Sequence, residues 1–258
     1  MSNEELVADS SAFEGKMFLY EQPELLNKED HGKLGLSKVA RPYEFIKSIR
    51  GVPIVTNEMP TAQKHYPIVF SDFENPVLIA VVGVIEDVNL FVDEDGHWDK
   101  MSYIPSYVRC HPFAFARRPD EQFAVVIDRT SAEISDKPEV PFFDGDKLSE
   151  GIQSRVDFCG HYDVERNRSK EFCEKVKELG LLSGQRAANR PGDGEKEDVI
   201  ADYVAIDVKK LTELDKDTLQ ALHKDGSLSA IFAHIFSLEN WNRLLFRRAL
   251  MQKAASAT

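Results

Sequence analysis

The hydrophobic pattern of this chain changes period once, near Gly145. Before that point, apolar residues come in short β-branched and aromatic runs broken by turn residues, which predicts strands. Val52-Pro-Ile-Val-Thr56 and Tyr66-Pro-Ile-Val-Phe70 are two of them. The longest run, Val77 to Ile85, is bounded by Pro76 and Glu86-Asp87 and reads as a strand buried on both faces, with Val77–Val82 central to the fold. Asn89–Asp93 reads as the next strand. It is followed by a turn at Glu94-Asp95-Gly96, because glycine accepts positive φ without steric cost. Tyr107–Arg117 and Phe123–Asp128 read as further strands, and Val140–Asp144 closes this half. Tyr43–Arg50 fits either a strand or one helical face.

Beyond Gly145 the period is helical. Leu148, Ile152, Val156, Cys159 and Tyr162 recur every three or four residues, as do Phe172, Val176 and Leu179. The charged interval Asp163–Glu171 leaves two readings open, one long helix with a polar middle or two helices broken near Gly160. Gly180 ends this element, and Ser183–Glu197 reads as a polar loop. Asp202–Asp207 is a late strand returning to the sheet, and Asp215 or Asp217 caps a short helix over Thr218–Lys224. A last helix or helix pair runs from Leu228 to Met251, with Ser237 available to cap a restart. Strands first and helices later predict an α+β fold. A curved, mostly antiparallel sheet from residues 17–144 is covered by helices from 146–180 and 217–251. The expected organisation is a flexible leader (1–16), a single domain (17–251) and a flexible tail (252–258).

Composition narrows the function classes. The 258 residues carry 44 acidic and 32 basic side chains, a net charge of −12, which argues against nucleic acid or an anionic membrane as partner. Three cysteines make no disulfide framework and read as reduced thiols. The longest apolar run falls short of the roughly 20 residues a membrane span needs, and residues 1–15 lack the apolar core of a signal peptide, so a cytoplasmic location is expected.

Metal and catalytic motifs are thin. With Gly96 as the sixth position of a calcium loop, Phe91 and Ser102 fall where carboxylates are required. His97-Trp-Asp99, with His161 further on, has the ligand types of a non-haem iron triad. Cys110-His111 and Cys159-x-His161 lack zinc knuckle spacing. No nucleophile elbow or phosphate-binding glycine loop occurs, and no cofactor is expected. Polarity beyond what solubility requires concentrates in two places. Tyr107, Arg109 and His111 alternate onto one face of a strand, and Glu165 and Arg166 lie on the helix, with His234 as a neighbour from the last helix. A buried Arg109–Glu165 pair would join them and mark a ligand site.

Several segments, in this order, resemble the bacterial SapC family: Tyr66-Pro-Ile-Val-Phe70, Pro76 to Val84, Asn89-Leu-Phe-Val-Asp93 with Gly96 and Trp98, Tyr103-Ile-Pro-x-Tyr-Val-Arg109 with Pro112-Phe113, Phe142-Phe-Asp144-Gly145, and Ala233-His234-x-x-Ser237. The resemblance spans residues 17 to 250. It implies a surface-layer-associated accessory role beside outer-membrane nutrient receptors and oxygenase-like proteins, and it carries no catalytic residues. The peptide-transporter permease of the same name is excluded by the missing spans. The expected function is therefore a non-enzymatic accessory or binding protein with a protein or small-molecule partner. The alternatives are an iron oxygenase using His97, Asp99 and His161, or a structural subunit of a homo-oligomer.

Overall fold

The computed structural model describes residues 17–84, 87–117, 123–189 and 198–255. Antiparallel sheets formed mostly by the N-terminal half, with helices towards the C-terminus, give the α+β class that the pattern predicts. Among the described residues the strands are divided among four sheets rather than gathered into one.

The largest sheet has five strands. β3 (Gly51–Pro53) lies at one edge, followed by β5 (Leu78–Val81), β4 (Ile68–Phe70), β13 (Asp198–Ile206) and β12 (Leu182–Asn189). All four residues of β5 are buried, flanked by β3 and β4, as the Val77–Val82 run predicts. Pro53 is tolerated because β3 is an edge strand, where a missing N–H breaks no ladder. The late strand is present and pairs with β4 through Val204 and Phe70. Its other partner, β12, occupies half of the stretch read as a polar loop. Ser183, Gly184, Gln185 and Arg186 carry no β signal of their own, and pairing with β13 makes them a strand.

Two three-stranded sheets and a hairpin make up the rest of the β structure among the described residues. One sheet joins β1 (Pro23–Leu25), β7 (Phe123–Asp128) and β6 (Phe113–Arg117). The other joins β8 (Ile134–Ser135), β2 (Gly35–Leu36) and β9 (Val140–Pro141). The hairpin of β10 (Phe143–Asp144) and β11 (Lys147–Leu148) turns at Gly145, whose φ of 59° is the left-handed value that glycine accepts. Asn89–Asp93 is not a strand: only Val92 makes a bridge, to Trp98, across the turn at Gly96. Tyr43–Arg50 resolves into a 3₁₀ turn at Glu44–Ile46.

Short helices α1 (Lys28–His31), α2 (Met59–Ala62) and α3 (Ser106–Cys110) punctuate this half. The dominant helix is α4 (Glu150–Glu178), 29 residues and about 44 Å long. It runs unbroken past Gly160. Its charged middle is helical because Asp163–Arg166 and Glu165–Arg168 pair one turn apart. α5 (Val208–Thr212) and α6 (Lys216–Lys224) follow, the latter capped by Asp215 as expected. α7 (Ser227–Ser237) and α8 (Asn240–Ala255) are a separate pair. Ser237 does not cap the restart. Its hydroxyl donates to the His234 carbonyl (2.6 Å) and accepts from Ile68 N–H (2.9 Å), fastening α7 to β4.

The first third of α4 buries Ile152, Val156 and Cys159 in a small core with Phe113, Ile127 and Phe142. Its last third buries Phe172, Cys173 and Val176 in a large core over the five-stranded sheet, shared with Ile231 of α7 and Leu244 of α8. α4 thus spans two cores.

Candidate functional site

Between those cores, the polar middle of α4 passes over the end of β3 and the start of β5 and leaves a cleft of about 380 Å³. Tyr162, Arg166, Asn167, Ser169 and Lys170 face it from the helix. Pro53, Ile54, Val77 and Leu78 form the opposite wall, with Asn75 at its rim. The wall is fixed by backbone pairing, since Ile54 N–H donates to the Leu78 carbonyl at 3.0 Å. The helix is fixed by buried Ser169, whose hydroxyl accepts from Thr56 N–H (2.8 Å) and donates to the Glu165 carbonyl (2.7 Å). Arg166 is partly exposed and donates to Asp163 from Nε at 3.0 Å, so the guanidinium is oriented before anything enters. An apolar wall, the two cations Arg166 and Lys170 against the single carboxylate of Glu174, and a few amide and hydroxyl groups can hold a small molecule that combines an apolar body with an anionic group.

A buried polar cluster lies behind the cleft, linked to it by aromatic rings. Tyr162 meets Tyr107 (centroids 5.8 Å apart), Tyr107 meets Tyr20 (6.5 Å), and Tyr20 meets His111 (5.3 Å). His111 is sandwiched against Phe45 at 4.0 Å, and its Nε2 lies 3.3 Å from Asp128 Oδ2. Burial pulls the imidazole below its usual pKa range, partly opposed by the carboxylate. Burial alone would raise the Asp128 carboxyl, but hydrogen bonds from Thr130 and from Gln22 and Glu21 N–H hold it below the usual range. Glu58 is the other buried carboxylate of this region. It accepts from Val55 N–H (3.0 Å), Ser106 N–H (2.6 Å) and the Tyr103 hydroxyl (2.8 Å), and burial raises its pKa. Glu58 and Asp128 carry no signal of this role in the sequence. Among 44 acidic residues nothing local distinguishes a carboxylate that will cap backbone N–H groups from a distant segment.

The residues predicted to form a site are only partly brought together. Tyr107, Arg109 and His111 do not alternate on a strand: Tyr107 and Arg109 lie in α3, and His111 follows it. Pro105 and Pro112 bracket a helical turn here, and the strand starts only at Phe113. Tyr107 and Arg166 both adjoin Tyr162, one behind the cleft and one in its mouth. Arg109 is exposed and lies over the Phe158 ring at 4.5 Å, while Glu165 pairs with Arg168 at 2.5 Å. The proposed Arg109–Glu165 pair is therefore replaced by separate partners. His234 is fully buried in the large core, 5.1 Å from the Phe70 ring, with Nε2 accepting from Ile206 N–H at 3.1 Å. It is a fastener between α7 and the sheet, remote in role from the cleft.

The iron residues serve other ends. Asp99 is bound by Arg247, by the Ser102 hydroxyl (2.8 Å) and by Met101 N–H (3.0 Å). His97 is exposed beside Asp93, and His161 is exposed on α4. Among the described residues, no three His, Cys, Asp or Glu side chains gather as a metal-holding set.

No curated protein and no solved structure matches this chain. A family model described as SapC matches residues 26–244, which takes in both cores, the whole of α4 and the cleft. The chain belongs to the SapC family.

Proposed function

We propose that this protein is a non-enzymatic accessory protein that binds a small molecule in the cleft between α4 and the start of β5, on the cytoplasmic side of a bacterial surface or nutrient-uptake pathway. The observation that carries the reading is the break in the apolar face of α4. Tyr162, Arg166, Asn167 and Lys170 line a cavity there, and its far wall is apolar. The volume lies at the lower end of the range for small-molecule sites, which suits a compact ligand carrying one carboxylate or phosphate.

The test is recovery of the protein from its native cells, followed by denaturing mass spectrometry for a released small molecule. The released compound is then titrated against wild type and Arg166→Gln. Loss of one charge-assisted contact predicts roughly 10- to 100-fold weaker binding. An unchanged affinity in Arg166→Gln, or a protein that comes out with nothing bound and takes up no apolar carboxylate or phosphate, defeats the proposal.

A further inference from the structure

β4 and β13 are joined in the five-stranded sheet through a single pair of residues, Phe70 and Val204. The direction of the backbone groups on either side of that pair follows from the neighbouring ladders. Asp207 N–H donates to the Leu181 carbonyl at 2.7 Å, so β13 turns the N–H and C=O of Tyr203 and Ala205 towards β12. By alternation it turns those of Asp202, Val204 and Ile206 towards β4. Ser71 N–H donates to the Val77 carbonyl at 2.9 Å, so Ile68 and Phe70 turn theirs away from β5 and towards β13.

The two directions away from the pair end differently. On one side α7 takes the place of the next rung: Ile68 N–H donates to the Ser237 hydroxyl at 2.9 Å, and Ile206 N–H to His234 Nε2 at 3.1 Å. On the other side the next rung would join Asp72 to Asp202, and nothing takes its place. Among the described residues the Asp202 N–H and C=O have no partner. A cleft of about 650 Å³ opens here, between the segment Ser71 to Phe73 and the segment Asp202 to Val204. Val69 and Ile79 give it an apolar lining. Phe73, 50% exposed, lines it too, and its ring comes close enough to β12 that a β-carbon on Gly184 would lie 3.9 Å away.

From this unfinished ladder we infer that the cleft takes the free amino end of an extended peptide, which pairs with the open backbone of Asp202 and continues the sheet beyond Phe70 and Val204. A donor and an acceptor presented together on the open side of a strand are matched by the backbone of another strand. The closed end of the cleft makes the occupant a chain end, because the Phe70–Val204 pair, with α7 past it, stops a strand from running through. The charges of the lining select the amino end. Asp72 and Asp202 are set against the one guanidinium of Arg186, which pairs with Asp202 at 2.7 Å. The lining therefore keeps one negative charge, which favours an ammonium over a carboxylate. Apolar side chains near the start of the peptide pack against Val69, Ile79 and Phe73. The inference stands apart from the cleft beside α4 and does not require it to be filled.

The test begins with amide exchange of the full chain, followed residue by residue in NMR spectra. The Tyr203 N–H, bonded to β12, is expected to exchange slowly, and the Asp202 N–H at least about tenfold faster. Heptapeptides displayed with free amino ends are then selected on the full chain, and the strongest binder is synthesised with a free and with an acetylated amino end. At saturation the free form is expected to slow Asp202 exchange at least about tenfold. The acetylated form is expected to bind roughly tenfold more weakly. Phe73→Ser is expected to weaken the free form about tenfold without loss of circular dichroism. An Asp202 amide as slow as that of Tyr203 in the free chain overturns the inference, as does a library that yields no binder. So does a binder that leaves Asp202 exchange unchanged, that binds equally well when acetylated, or that Phe73→Ser holds as tightly as wild type. A dimer in light scattering that itself protects Asp202 also overturns it, since a second copy of the chain would then occupy the cleft.

Discussion

The large core over the five-stranded sheet and the small core around Phe113, Ile127 and Phe142 sit at opposite ends of α4 and treat polar groups differently. In the large core, buried polar side chains fasten backbone. Ser237 and His234 accept from Ile68 and Ile206 N–H, and Asn89 holds the Ile46 carbonyl and Phe91 N–H. The surroundings are aliphatic, from Val52 and Ile68 to Val82. At the small core, polar side chains fasten backbone too, but two of them also meet each other. His111 faces Asp128, and the Cys159 thiol donates to the Cys110 and Phe113 carbonyls at 3.7 and 3.6 Å. The large core therefore depends chiefly on shape and burial, while the small one adds a buried histidine–carboxylate contact whose Asp128 also holds the Glu21 and Gln22 N–H groups. The cleft opens where the two meet.

The severest test of the large core is Val81→Asp. Val81 is 2% exposed in a strand covered on both sides, and an unpaired carboxylate there costs several kcal/mol out of a total stability of about 5–15 kcal/mol. Loss of soluble expression is expected; normal expression and melting would remove β5 from the centre of the core. The matching break in the small core is Asp128→Ala, which strips the partner from His111, Thr130 and the Glu21 and Gln22 N–H groups. A destabilisation of about 3–5 kcal/mol is expected. Hydrogen exchange sharpens the comparison: amides of β1 and β7 should lose protection while those of β4 and β5 keep it. Equal loss in both sheets would show that the two cores unfold as one unit.

A smaller effect comes from acid. Burial lowers the His234 pKa from its usual range to about 4. The unfolded chain takes up this proton near pH 6.5 and the folded chain only near pH 4. Stability is thus full above pH 6.5 and falls as pH drops to 4, by up to about 3 kcal/mol. His234→Gln keeps an acceptor for Ile206 N–H and should flatten much of the slope in chemical-denaturation curves across that window, the remainder belonging to His111 and His65, which burial also lowers, and to Glu58, which burial raises. An unaltered slope would mean that His234 does not titrate as a buried group. Asp99 acts in a separate window. Burial would raise its carboxyl, but hydrogen bonds from Met101, Arg247 and Ser102 bring it down to about 2. Its contribution, about 1 kcal/mol after solvent screening, is lost between pH 4 and 2.

How far the sequence discloses these regions follows from what each is made of. β5, the two ends of α4 and the cap at Asp215 were legible because burial on both faces, a three-four period and a capping side chain are local patterns. β12 was not, since Ser183 to Arg186 become a strand only through pairing with β13. The segment from Tyr107 to His111 alternates like a strand, yet Pro105 and Pro112 confine it to a helical turn. The cleft was half visible. The charged interval of α4 pointed to Arg166, but its apolar wall comes from residues about 90 to 115 positions earlier. Nothing in the sequence pattern sets Ile54 and Leu78 opposite Tyr162.

The weakest expected effects belong to the pair that the strand reading proposed as the strongest. Arg109 is exposed, with its guanidinium over Phe158, a contact worth about 0.5–1 kcal/mol at an accessible position. Glu165 pairs one turn along α4 with Arg168, whose side chain is 66% exposed, so that contact is worth only about 0.3–0.5 kcal/mol. Arg109→Ala and Glu165→Ala should each shift stability by no more than about 1 kcal/mol, and the double variant should equal their sum within about 0.5 kcal/mol, because the two side chains share no partner. A coupling clearly above 1 kcal/mol in urea denaturation would mean that Arg109 and Glu165 meet in solution. The polar middle of α4 would then be bound to α3, and the cleft beside it would have one wall too many to admit a ligand.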